Sequence, residues 1–146
     1  MVDQKREAQL RDAIEQFYFA YRAFTAQPDR ILEQRGLGRM HHRILYFVGR
    51  NSGLSVNELL AILGISKQAL NAPLRQLIEM KLITTQVASH DKRVKKLMLT
   101  DSGRKLETQL TQTQMKHLGE VFDEHGPKAE RAWLALMKAM PVLREK

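Results

Sequence analysis

Apolar residues recur at a helical period over most of this chain, and the period changes in one place only. Leu10, Ile14, Phe17, Tyr18, Tyr21 and Phe24 fall three or four residues apart with charged positions between them, which predicts a long amphipathic N-terminal helix. Pro28 disfavours helical geometry in the residue before it, so that helix is expected to stop near there. After the break Gly36-Leu37-Gly38, the positions Met40, Ile44, Phe47 and Val48 mark a second helix ending at Asn51-Ser52-Gly53. Val56, Leu59, Leu60 and Leu63 supply the buried face of a third, opened by Ser55 and Glu58 at capping-box spacing and closed by Gly64. Ser66 caps the next. There Leu70, Leu74, Leu77 and Ile78 are expected inward, and Lys67, Gln68, Asn71, Ala72, Arg75 and Gln76 outward. Two short helices joined by Gly64-Ile65 make a helix-turn-helix.

The period then becomes two. Ile83 to Ser89 is rich in β-branched residues and Lys95 to Thr100 alternates, which predicts a two-stranded wing turning near Asp91–Arg93, anchored by Leu97 and Leu99. Thr100 caps a long helix with Asp101 near its positive end, and Leu106, Leu110, Leu118, Val121 and Phe122 are its apolar positions. Gly126-Pro127 ends it and starts the last helix, whose apolar positions are Ala129, Trp133, Leu136, Met137 and Met140. The expected fold class is mostly α with a small β-hairpin wing: a winged helix-turn-helix flanked by N- and C-terminal dimerisation helices. The aromatic and methionine stripes of Leu10–Phe24 and Ala129–Met140 exceed what the small central module needs, and a second copy would bury them.

Composition narrows the function classes. At 146 residues the chain is about one domain. It has no apolar run of bilayer length, no signal-like N-terminus and no cysteine, so a cytoplasmic protein without disulfides or thiolate metal sites is expected. The net charge of +8 is concentrated: between Arg39 and Lys105 stand twelve basic residues against Glu58, Glu79, Asp91 and Asp101, and the flanks together are neutral. A basic middle between neutral ends suits a polyanion-binding module. There is no glycine-rich phosphate loop, cysteine nucleophile or Ser/His/Asp arrangement, so an enzyme is not expected.

In a helix-turn-helix the second helix enters the major groove, and its N-terminal residues reach base edges. Here these are Lys67, Gln68, Asn71 and, one turn on, Arg75, with Ser66 where helix-terminal N–H groups meet a phosphate. Gln and Asn suit adenine, while Arg and Lys suit guanine or phosphate. Pro73 removes a donor inside this helix, so a kink or a loosened first turn is expected. In the wing, Asp91 and Arg93 fall on one face of an extended segment, where Asp91 can orient the guanidinium for a narrow minor groove. Lys92, Lys95 and Lys96 are candidate phosphate contacts.

The order of elements, with Asp91-Lys92-Arg93 followed by Leu97-Met98-Leu99-Thr100-Asp101-Ser102-Gly103-Arg104, resembles the wing signature of the MarR family, and Ser55 through Leu82 is similar to that family's helix-turn-helix. The resemblance implies a single MarR-type domain over residues 1–146. A winged helix-turn-helix core would span 38–104, and dimerisation helices 1–35 and 105–146. It further implies a homodimer on double-stranded DNA at a pseudo-palindromic operator, repressing transcription and relieved by a small-molecule effector. By resemblance Arg93 enters the minor groove and the Ser66–Arg75 helix the major groove. Candidate ligand-binding residues are Tyr18, Met40, His41 and His42, in a pocket between the dimer helices and the DNA-binding module. Pro73 and Met40-His41-His42 depart from the family pattern. Two other readings stand beside this one: a winged-helix module binding protein or RNA, and a metal-responsive regulator, invited by His41, His42, His90, His117 and His125, in which His41 and His42 would need His117 or Asp123 to complete a site. Adjacent histidines point apart on a helix, so no metal or cofactor site is assigned.

Overall fold

The computed structural model describes residues 3–142. In chain order it contains α1 (Gln4–Glu33), α2 (Arg39–Arg50), β1 (Leu54–Ser55), α3 (Val56–Leu63), α4 (Lys67–Glu79), β2 (Ile83–Ala88), β3 (Asp91–Leu99), α5 (Asp101–His125), α6 (Pro127–Ala139) and a 3₁₀ turn at Met140–Val142. The expected segments 1–35 and 105–146 extend past the described residues by 1–2 and 143–146. No described helix is long and apolar enough to cross a membrane.

Four expectations are corrected or extended. α1 does not stop at Pro28 but runs on to Glu33. The proline withdraws one N–H, yet Pro28 and Leu32 are both buried, and their burial outweighs one lost helical bond. The two-stranded wing forms as the β2–β3 hairpin, and β1 adds to β3, giving an antiparallel sheet of order β1-β3-β2, with Leu54 opposite Leu97 and Ser55 opposite Lys96. Its turn falls at Ser89-His90, so Asp91 already opens β3. Ile78, expected inward, lies at the exposed end of α4.

One core holds these elements together. Leu32 of α1, Ile44, Leu45 and Val48 of α2, Leu59 of α3, Leu70, Leu74 and Leu77 of α4, Leu97 of β3, and Leu106 and Leu110 of α5 form a single buried cluster. The start of α5 is locked to the end of α4. The Thr100 hydroxyl donates to the Lys81 carbonyl at 2.6 Å and its N–H to the Leu82 carbonyl at 3.1 Å. Gly103 presses its bare Cα against Leu82, leaving no room for a side chain. In contrast, most of α1 and all of α6 lie outside the core. Ile14 (68% exposed), Tyr18 (60%) and Leu136 (65%) face outward with Phe17, Phe19, Trp133 and Leu134, and α6 has no buried residue.

Candidate nucleic-acid interface

α3 and α4 are set by local chemistry. The Glu58 N–H donates to the Ser55 hydroxyl at 3.1 Å, and the Ser55 N–H donates to the Glu58 carboxylate at 3.0 Å. These bonds, with the charge of Lys96, hold the Glu58 carboxyl below the ordinary carboxylate value. Gly64 takes the left-handed conformation (φ 65°) that turns the chain into α4. The Ser66 hydroxyl accepts the Ala69 N–H at 3.1 Å. Leu70, Leu74 and Leu77 fix the inner face of α4, so Lys67, Gln68, Asn71 and Arg75 stand exposed on its outer side with Ser66 at its mouth. α4 is continuous through Pro73. The deleted bond leaves the Ala69 carbonyl without its helical donor at an exposed position, where water can serve it.

The wing puts Arg93 on a built platform. Val87 pairs with Lys95 and Ala88 with Asp91, so Lys92, Arg93 and Val94 bulge from β3 with nothing opposite them. Asp91 grips Arg93 at three points: the backbone N–H at 3.0 Å, Nε at 3.2 Å and an Nη at 3.3 Å. The Arg93 side chain is nonetheless 91% exposed. These hydrogen bonds hold the Asp91 carboxyl below its ordinary value, so it remains an anion and an orienting partner. Lys92 and Lys95 are exposed near the bulge. Lys96 projects from the opposite side of the pleat, opposite Ser55 and Gln86, with its stem beside Gly53 and its charge felt by Glu58.

Behind the helix-turn-helix, a cleft of about 440 Å³ opens between α1, α2 and α5, lined by Tyr21, Phe24, Pro28, His42, Phe47 and Met115 among others. Several polar groups on its wall are paired. Arg39 bridges to Asp29 at 2.9 Å, and Arg43 donates to the Tyr21 hydroxyl at 2.9 Å. His42 faces the Thr111 hydroxyl at 3.5 Å. Burial holds its imidazole below the ordinary value of 6.5, opposed by Asp29 and reinforced by Arg43. Of the four candidate ligand residues only His42 lines this cleft. Tyr18 is exposed on α1, Met40 packs against the core, and His41 turns toward α4. Periodicity marked Tyr21, Phe24 and Phe47 as apolar helix positions. Their convergence across three helices had no local signal. Among the described residues no three His, Asp or Glu side chains come together as a metal site.

Known proteins share this arrangement. A model of the MarR family matches residues 35–94. Over 140 residues the chain is 42% identical to the HTH-type transcriptional regulator PetP of Rhodobacter capsulatus, spanning 94% of this chain and 84% of that protein. The S. aureus MepR–DNA complex superposes with a TM-score of 0.66 at 25% identity, over 88% of this chain and 96% of that one. A MepR mutant from a multidrug-resistant S. aureus clinical isolate gives 0.73 at 23% identity, over 90% and 97%. With a capped helix-turn-helix, a basic wing and a relative this similar over nearly its whole length, the chain belongs to the MarR family of winged helix-turn-helix, DNA-binding transcriptional regulators.

Proposed function

We infer that the chain is a cytoplasmic homodimeric repressor that reads a pseudo-palindromic operator in double-stranded DNA and is released from it by a small molecule. The observation that carries this reading is the juxtaposition of two exposed reading elements on one core: the outer row of α4, and Arg93 held out by Asp91. Lys67, Gln68, Asn71 and Arg75 would face major-groove base edges. Arg93 would enter the adjoining minor groove, its guanidinium already oriented. Ser66, Lys92, Lys95 and Lys96 would hold phosphates, Lys96 from the other face of β3. The solved MepR–DNA complex, 25% identical to this chain, supports DNA as the partner.

Residues 38–104 serve as the reading module, and 1–35 with 105–146 as the dimer scaffold. The exposed faces of α1 and α6 are the reason. Ile14, Phe17, Phe19, Trp133 and Leu136 leave apolar side chains exposed on these two helices, and exposed apolar surface of this kind marks an interaction site. A second copy of the same two helices would be an apolar partner, and two-fold pairing would set two α4 helices roughly one DNA turn apart. The cleft beside His42 is the effector site, apolar in its walls with a few directed polar groups.

Titration against a duplex selected by the protein from a random-sequence pool, at several salt concentrations, tests the reading. A steep salt slope with a retained preference over scrambled sequence is expected. Equal binding to every duplex, or a preference for RNA, would overturn it.

A further inference from the structure

His41 stands at a junction. Its Nδ1 lies 2.9 Å from the Gly38 N–H, and its Nε2 lies 2.9 Å from Oε1 of Gln76 on α4. A backbone N–H can only donate, so Nδ1 is the unprotonated nitrogen and Nε2 carries the proton. Nε2 therefore donates to Gln76 Oε1. The Gln76 amide then has its nitrogen free to donate, and it does so to the Gly36 carbonyl at 3.4 Å. The chain of bonds runs from the Gly38 N–H through the imidazole and the glutamine back to Gly36, closing on the turn that follows α1.

We propose that His41 is a positioning residue for DNA recognition, which fixes the roll of α4 by tying Gln76 to the α1–α2 turn. This rests on the major-groove placement of α4 inferred above. Three features of α4 make such a tie useful. Its inner face is held by Leu70, Leu74 and Leu77, and apolar contacts resist separation more than rotation. Pro73 has no N–H to donate to the Ala69 carbonyl, so the first turn of α4 is joined to the rest of the helix by one bond fewer. Gln76 is next to Arg75, so an angular constraint on one is a constraint on the other. Hydrogen bonds are directional where apolar packing is not. The tie also ends on the turn leaving α1, so the reading helix is oriented against the proposed dimer scaffold.

The two nitrogens can be separated by substitution. His41→Asn keeps an acceptor near the Nδ1 position for the Gly38 N–H but is too short for Gln76. His41→Gln reaches toward Gln76 with its amide and forfeits the Gly38 bond. Gln76→Leu removes the other end. Affinity is read for a duplex selected by the wild-type chain from a random-sequence pool and for a scrambled duplex, beside the melting temperature.

With His41→Asn and with Gln76→Leu, the preference for the selected duplex should fall about tenfold while scrambled-duplex affinity holds, and the double variant should fall no further. His41→Gln should melt earlier yet keep its preference to within about threefold. A merely structural histidine would show the reverse, with melting and both affinities moving together. The proposal is overturned if the wild-type chain discriminates and His41→Asn and Gln76→Leu discriminate equally well, or if the two losses add in the double variant. A wild-type chain with no preferred duplex overturns the groove placement itself, and the recognition role of His41 with it.

Discussion

Replacing Gly103 with alanine should be among the most damaging single-methyl changes in this protein. A methyl built on Gly103 would lie 2.9 Å from the carbonyl carbon of Leu82 and 3.3 Å from its Cα, and closer still to the carbonyl oxygen. All of these are backbone atoms, so no side chain can swing aside. α5 would have to lift away from the end of α4. Lifting stretches two bonds, Thr100 N–H to Leu82 (3.1 Å) and the Thr100 hydroxyl to Lys81 (2.6 Å). At about 1 kcal/mol each these account for ~2 kcal/mol. Overpacking of buried surroundings adds about 1–3 kcal/mol. Alanine's better helix propensity returns at most about 1 kcal/mol. The net loss is roughly 2–4 kcal/mol, or a fall of about 10 °C in melting temperature for a chain of this size. Thermal melts by far-ultraviolet circular dichroism, at one fixed protein concentration because dimers melt concentration-dependently, would measure it. A variant that melts at or above the wild-type temperature would refute the account of this joint.

Arg93→Ala should leave melting unchanged, because the side chain is almost wholly exposed, while operator affinity in a fluorescence titration drops; a large fall in melting temperature would mean the residue is structural. Asp91→Ala should split two affinities in opposite directions, lowering that for the selected duplex by freeing the guanidinium and raising that for scrambled DNA by removing an anion; parallel changes would count against pre-organisation. Lys81 adopts φ 60° without being glycine, so Lys81→Gly should melt no lower than wild type, strain relief of about 1 kcal/mol meeting the added chain entropy. His42 gives a pH prediction. Its folded value lies below 6.5, so the unfolded chain takes up a proton first, and stability should decline as pH falls below 6.5. Urea midpoints above and below that pH should converge in His42→Gln, and an unchanged difference would assign the pH dependence elsewhere.

Features encoded within a few neighbouring residues were legible in the chain. Ser55 with Glu58, Ser66, Gly64, Thr100 and Gly126-Pro127 each announce a helix end, and each stands at one in the structure. The Asp91–Arg93 pair was legible for the same reason, since its partners are two residues apart. What escaped was non-local. β1 is two residues long and exists because β3 pairs with it across some forty residues of chain. Pro28 reads locally as a stop, and only the burial of Pro28 and Leu32 against the rest of the fold carries α1 past it. His41 sits among apolar positions as a plausible pocket residue, but its partner Gln76 is 35 residues away. The wing turn was displaced by the bulge at Lys92–Val94, which pairing register alone reveals. The cleft drew its lining from three helices, and of the residues singled out beforehand it took His42.

The central claim is that two copies of α4, each with its Arg93-bearing wing, read an inverted repeat. Sequencing the duplexes that the purified protein enriches from a random-sequence pool tests it most directly. The account predicts convergence on two half-sites in inverted orientation, with centres roughly one helical turn apart. Their outer edges should be rich in A·T pairs where Arg93 meets a narrow minor groove, a bias that Arg93→Ala abolishes. Enrichment of a single unpaired half-site, or of no sequence at all, would contradict it.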